Sequence, residues 1–423
     1  ENAVIAILNV PGYIDQASTA GGLCGMAYSS TFRNCSSSVR MQCERSTGGL
    51  IGNLSGNSIV KSCSSNSAGV SVAKGQVGGI IGLIDSSKVY GKLYTDGTNV
   101  TIENCVNYSH IQHQGDGGGI LGKQGSGQVK MTGCVNYGDN TGATSGGGLV
   151  GAASDKYSLN ITDCYNAGNV SEGYGNSGNG IAGGIIGNVP NGGNVTINRC
   201  YSVGNVESNY RADKLELSLC CAGGIVGNID SGGLADVQNC YYVNDMDSKD
   251  GVVHISMLGT KVTPEELKAL DTEKVKLDGY VTDASNINNG YPVLSWQSAA
   301  KYYTVTVVKS GDAANDVTVT VNNADYNDSG VKLLAGSILR ISTAIDKDSN
   351  YKVDSISVGD TEYKTSQTSG SGKTVLSAEI ITKGLADENS NITVNIATRP
   401  KTEEEAKSDA GKINSTCLLY TSD

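Results

Sequence analysis

Cysteine is the residue whose spacing first suggests chemistry in this chain. Seven of the 12 cysteines close a short recurring cassette: Cys35, Cys63, Cys105, Cys134, Cys164, Cys200 and Cys240. Thiols can ligate zinc, act as nucleophiles or pair as disulfides. No Cys-x-x-Cys occurs, so a zinc site is not expected. Each cassette cysteine instead has an apolar residue three places before it: Phe32, Val60, Ile102, Met131, Ile161, Ile197 and Val237. That is a packing signature, and it predicts an inward column of thiols acting as small hydrophobes. Parallel in-register side chains seldom meet the disulfide torsion without strain. Cys43, Cys220 and Cys221 lie off the column, and a disulfide there stays open.

The other reactive residue types are sparse. There are only three histidines, His110, His113 and His254, and no His-Glu-x-x-His. A strand would point His110 and His113 apart, and both are expected to face solvent. Asp346-Lys347-Asp348-Ser349-Asn350 places oxygen ligands at alternate positions, but Tyr351 and Ser357 stand where a calcium loop needs Gly and Glu. Asp245, Asp247 and Asp250 miss that spacing by one, so Asx-rich turns account for both clusters. Glu103, Asp163 and Asp236 sit at unequal offsets and form no acid–base pair of the kind polysaccharide-cleaving enzymes require. Tyr165, Tyr201 and Tyr241 each directly follow a column cysteine. If the thiols point inward, these rings point outward and stack, with Tyr108 and Tyr137 two residues further along. Such a face could cradle sugar rings; cross-strand stabilisation is the blander and preferred reading. No catalytic residue, cofactor or metal ligand is expected.

The elements that position these residues are repeats. Gly-Gly-(Leu/Ile)-apolar-Gly starts at Gly21, Gly48, Gly78, Gly118, Gly147, Gly183 and Gly223, with Cys24 as the fourth residue of the first copy. The spacings are 27, 30, 40, 29, 36 and 40 residues, which fits loops of varying length on a constant unit. Residues three apart on one flat strand face opposite ways. The chain must therefore turn a corner between the apolar residue and its cysteine. Met41, Ile111, Val170, Val206 and Met246, six residues past a cysteine, mark a second corner. Each repeat thus reads as strand, turn, strand, corner, strand. The expected fold is all-β: a parallel β-helix of about seven rungs over residues 1–250, a small cap over 251–300, and a small β-rich module over 301–399. Thr263-Pro264-Glu265-Glu266 carries a capping box for a short helix in the cap. The lone Trp296 is expected to pack beneath it. Beyond Lys301, runs such as Tyr303–Val308, Val317–Val321 and Asn391–Ile396 alternate with the period of half-buried strands. Residues 400–423 read as linker, ending in Cys417-Leu418-Leu419-Tyr420-Thr421-Ser422-Asp423, which resembles a translated sequencing-library end.

The paired cassettes, especially Gly183-Gly184-Ile185-Ile186-Gly187 with Cys200-Tyr201-Ser202-Val203-Gly204-Asn205-Val206, resemble the GLUG repeat over residues 15–245. Gly290-Tyr291-Pro292-Val293-Leu294-Ser295-Trp296 resembles the usual terminus of such arrays. Residues 301–399 resemble the divergent B-repeat of internalin-like surface proteins. The resemblance implies a secreted or surface-attached bacterial protein; GLUG arrays also form the non-catalytic part of IgA-specific metallopeptidases.

Composition bounds the function. The formal charge is −11, which repels phosphate backbones and anionic membranes. No apolar run approaches the ~20 residues of a membrane span. Gly reaches 57 residues against 5 Pro, as many tight turns demand. The chain opens in Val4-Ile5-Ala6-Ile7-Leu8 rather than in a leader, so the start of its gene product is expected to be missing. The expected role is a non-catalytic binder or spacer, extracellular or on the cell wall, towards a host or bacterial glycan or protein. The alternatives are the non-catalytic part of a larger secreted enzyme, or a β-helical carbohydrate-active enzyme.

Overall fold

The computed structural model divides into two compact units, Glu1–Ala299 and Ala300–Asp423. It describes residues 4–406 except 7–8, 11–12, 16–18, 68, 73, 86–87, 90–91, 94–97, 174–179, 210–219, 245, 250–252, 257, 299–301, 322–323, 327–330, 335–337, 364, 371 and 382–390.

The first unit is a parallel β-solenoid. Each turn of the coil gives one short strand to each of five parallel sheets of seven to nine strands. One turn runs Ile186–Val189, Asn194–Asn198, Tyr201–Ser202, Val206–Asn209 and Cys220–Gly223. We number the sheets 1 to 5 in that order. Rungs are in register, so equivalent residues stack: Ile161 beside Ile197 beside Val237 in sheet 2, and Tyr165 beside Tyr201 beside Tyr241 in sheet 3. The rung therefore has five strand segments where the sequence suggested three. Sheet 3 strands are only two residues long and sheet 5 strands are Gly-rich, too short and too small to carry an alternation signal.

The inferred corner before each cysteine has a specific backbone cause. Asn34, Ser62, Asn104, Asp163, Arg199 and Asn239 have φ between 50° and 54°, and Gly133 in the same column has φ 67°. One left-handed residue reverses the strand's facing, so the apolar residue two before it and the cysteine after it both point inward. Phe32, Val60, Ile102, Met131, Ile161 and Ile197 join Cys35, Cys63, Cys105, Cys134, Cys164, Cys200 and Cys240 in one buried core. Asn tolerates this conformation better than Ser. The exposed Ser62→Asn is expected to raise stability by about 0.5–1 kcal/mol, read as a higher urea midpoint at unchanged slope.

The Gly-Gly pair is explained by two separate close approaches. A Cβ on Gly147 would lie 1.9 Å from the Val150 carbonyl oxygen and 2.7 Å from the Gly187 nitrogen. A Cβ on Gly148 would lie 2.3 Å from Cγ of Asn166 and 2.1 Å from the Gly184 carbonyl oxygen. The first glycine lets the chain double back on itself. The second makes room for a buried side chain of sheet 3.

The segment after the last rung does two things. Strands Met246–Lys249, Val253–Ser256 and Thr260–Lys261 extend sheets 4, 5 and 3 by pairing with the preceding strands. The chain then forms the helix Pro264–Lys268, capped by the expected box: Thr263 Oγ1 accepts from the Glu266 amide at 3.2 Å and Glu266 Oε2 accepts from the Thr263 amide at 3.0 Å. Just before the helix, Leu258 packs against the inner core that holds Ile225 and Cys240 of the last rung, and beyond the helix the chain turns aside. It runs back along the flank, over sheet 3, where Val262, Leu267, Val275, Leu277, Tyr280 and Leu294 pack on Val106, Val135, Tyr165, Tyr201 and Tyr241.

The second unit has two five-stranded sheets sharing one core, with Val305, Ile356, Val394 and Ile396 from one and Val319, Leu339, Ile341 and Ile380 from the other. Its long strands include Tyr302–Ser310, Ile338–Asp346, Tyr351–Val358, Lys373–Ile381 and Asn391–Pro400.

Candidate functional site

The tyrosines expected to form an open aromatic face are covered. Tyr165 and Tyr201 stack with centroids 4.9 Å apart and planes 3° apart, and they do point away from the thiol core. Yet Tyr165, Tyr201 and Tyr241 are 0%, 0% and 4% exposed. The cover binds their hydroxyls individually. Gln297 Nε2 donates to Tyr165 Oη at 3.0 Å, Asn288 Nδ2 donates to Tyr201 Oη at 2.8 Å, and the Lys276 amide donates to Tyr241 Oη at 2.8 Å. Tyr201 Oη in turn donates to the Pro292 carbonyl. Burial pushes the Tyr165 and Tyr201 hydroxyls well above the usual tyrosine range. Trp296 lies in the cover itself, packed at the same seam rather than beneath a plug on the last rung, and donates from Nε1 to the Gly133 carbonyl at 3.2 Å. The sequence did hold the footprint of the cover. The outward position of sheet 3 reads Ser36, Ser64, Val106, Val135, Tyr165, Tyr201, Tyr241, changing from polar to apolar where the cover begins.

The thiol column lies inside the coil as anticipated. Sγ of Cys105, Cys164 and Cys240 donates to the carbonyl two residues earlier, at 3.4, 3.1 and 3.2 Å. Burial raises the Cys105, Cys134, Cys164 and Cys200 thiols well above their ordinary value. A thiol held protonated in the core is a poor nucleophile. Cys43 and Cys221 are also buried, and the Cys220 side chain lies outside the described residues. Thiol titration with a disulfide reagent is expected to leave Cys63, Cys105, Cys134, Cys164, Cys200 and Cys240 unmodified in the folded protein. All six should react in denaturant; fast labelling of the native column would contradict its burial.

A second interior column escaped sequence reasoning. Asn107, Asn136 and Asn166 stack in register in sheet 3, fully buried. Asn107 Nδ2 donates to Asn136 Oδ1 at 2.8 Å and Asn136 Nδ2 to Asn166 Oδ1 at 2.8 Å. Each amide also donates to the carbonyl two residues on, as in Asn136 to Gly138 at 2.7 Å. The available signal was the recurring Asn two places after the cysteine. Its meaning needed the opposing Gly of the Gly-Gly pair, which is distant in sequence.

The histidine expectation fails at His113. Its ring is fully buried, with Nε2 3.1 Å from Glu172 Oε1 and Nδ1 2.7 Å from the Gly115 carbonyl. Glu172 lies two rungs away and was not singled out from sequence. His110 is half-buried near Asp139, and the His254 side chain is outside the described residues.

The remaining acidic groups form no shared centre. Glu103 pairs with Lys61 at 2.6 Å, Asp163 takes Arg199 Nε and Nη2 at 2.6 and 2.9 Å, and Asp236 accepts from Gln238. Asp346–Asn350 is a tight turn in which the Ser349 amide donates to the Asp346 carbonyl at 3.1 Å and the Tyr351 amide to Ser349 Oγ at 3.1 Å. Asp245 and Asp250 lie outside the described residues. Among the described residues no group of three or more His, Cys, Asp or Glu is arranged to hold a metal ion, and no helix is long and apolar enough to cross a membrane.

With the tyrosines covered, the broad outer face of sheet 2 is the surface with regular chemistry. One in-register column there runs Thr101, Lys130, Asn160, Thr196 and Asp236, half-exposed at the threonines and exposed at the others, with Asn99, Gln128 and Asn194 exposed beside it. No family model matches the chain, and no curated protein does. Among solved structures, the chain is similar to that of a candidate immunoglobulin A1 protease from Bacteroides ovatus, with 19% identity over 69% of this chain and 75% of that chain and a TM-score of 0.33.

Proposed function

We propose that this chain is a non-catalytic extracellular scaffold of the GLUG-repeat type, a rigid coil that spaces or presents a binding surface. One observation carries the reading: the residues best suited to chemistry are engaged in holding rungs together. The thiols fill the core, His113 faces Glu172 inside it, and the tyrosine hydroxyls are bonded to the cover. A site for turnover needs such groups convergent and open to substrate. The ligand is a glycan or protein met by the amides and hydroxyls on the outer face of sheet 2.

The whole chain, screened on arrays of host glycans and matrix proteins, is expected to bind saturably. Asn160→Arg combined with Thr196→Arg is expected to weaken that binding about tenfold or more. Pectin-like and mucin substrates should yield no product. Product release by the chain, or binding indifferent to the double substitution, would count against the reading.

A further inference from the structure

His113 and Glu172 occupy the last inward position of sheet 4, on rungs two apart. Between them in register is Gly142: it pairs with His113 on one side and with Glu172 on the other. Without a side chain on the middle rung, the imidazole and the carboxylate meet across it. Three glycines hollow out this space. A Cβ on Gly142 would lie 2.1 Å from His113 Cε1, one on Gly117 2.1 Å from His113 Cδ2, and one on Gly146 2.0 Å from Glu172 Oε1. Gly117 and Gly146 belong to sheet 5, so the pair bridges the sheet 4–sheet 5 corner as well as two rungs.

Such a pair is not needed for packing. Apolar residues of similar volume would stabilise a core at least as well, because taking two charges out of water costs about as much as their attraction returns. What a buried pair does supply is register and dependence on a proton. Removing the charge of one partner strands the other in a medium where it is poorly solvated. The charged groups bearing on the pair are few. Asp116, on the adjoining strand of sheet 5, is neutralised by Lys123 at 2.9 Å, and the Gly115 carbonyl fixes the far side of the imidazole at 2.7 Å.

We propose that His113 and Glu172 form a proton-dependent latch that clamps three consecutive rungs at the sheet 4–sheet 5 corner, closed while the pair holds its proton and released as pH rises. Burial alone would depress the His113 imidazolium, but the Glu172 carboxylate and the Gly115 carbonyl outweigh it and hold its pKa above the usual value. Burial holds the Glu172 carboxyl above its usual range as well. A group whose folded pKa is raised binds its proton more tightly than the unfolded chain does. The His113 contribution is therefore complete below about pH 6.5, the ordinary histidine value, and is lost as pH climbs through the folded one, while protonation of Glu172 bounds the ion pair on the acid side.

The test is a pH titration of the histidine ring signals of the whole chain by NMR, assigned with His110→Asn and His254→Asn. His113 is expected to titrate above ~6.5, with the midpoint falling in Glu172→Gln and moving less in Asp116→Asn. Between about pH 6 and 8, below the range in which the buried thiols add their own pH dependence, Tm should fall by about 3 °C or more in the natural chain and clearly less in Glu172→Gln. A natural-chain midpoint at or below ~6.5 overturns the latch without any variant needing to fold. So does a midpoint that ignores Glu172→Gln.

Discussion

Gly147→Ala is expected to cost about 3 kcal/mol or more, a large effect for one methyl group. The added Cβ would stand 1.9 Å from the Val150 carbonyl oxygen and 2.7 Å from the Gly187 amide nitrogen. Both are backbone atoms, so no rotamer change can relieve the contact. Gly147 lies in mid-array, with Gly118 and Gly183 in register on either side, and a shift on one rung would be passed to its neighbours. The cover on sheet 3 and the His113–Glu172 contact both bridge the rungs on either side of Gly147, so the loss should appear as a lowered urea midpoint rather than as separate transitions of the two halves. Urea denaturation followed by far-UV and near-UV signals would show it. A loss below ~1 kcal/mol would mean that the rungs do not approach as closely as described.

Tyr201→Ala should be comparably severe, about 3–5 kcal/mol. The ring is fully buried, stacked on Tyr165 at 4.9 Å and tilted against Tyr280 at 5.6 Å. Its hydroxyl joins the Pro292 carbonyl and the Asn288 amide, both in the cover. Truncation opens a cavity at the seam and leaves both partners without their bonds. Tyr201→Phe keeps the ring and should cost about 1–2 kcal/mol. The larger change is also expected to loosen residues 263–298, so limited proteolysis should cut there before it cuts the array. A cover that resists protease in Tyr201→Ala would show that it is held by other contacts.

These two positions illustrate how far the sequence could be read. The glycine pairs announced the repeat, and the offset of three before each cysteine announced a corner. The corner was predictable because side-chain facing alternates along any strand, and a left-handed Asn, Ser, Asp, Arg or Gly is what makes it. The two sheets with shorter or Gly-rich strands were not legible, since two residues carry no periodicity. The tyrosines were rightly placed outside the thiol core but wrongly left open to solvent. Outward is a property of one rung, whereas exposure depends on what returns to cover it.

The same distinction separates what the sequence determined by itself from what only the tertiary structure decided. Repetition determined the coil, its parallel register and its columns of thiol and aliphatic side chains, because each rung needs identical neighbours to bury its faces. Contacts between residues far apart in the chain decided the rest: the return of residues 263–298 over sheet 3, the asparagine column seated against the second glycine, and His113 meeting Glu172 across Gly142. The first two leave a local mark, the apolar outward position of sheet 3 and the Asn two places after the cysteine, but what each mark means, like the meeting of His113 with Glu172, is decided only once the rungs are stacked.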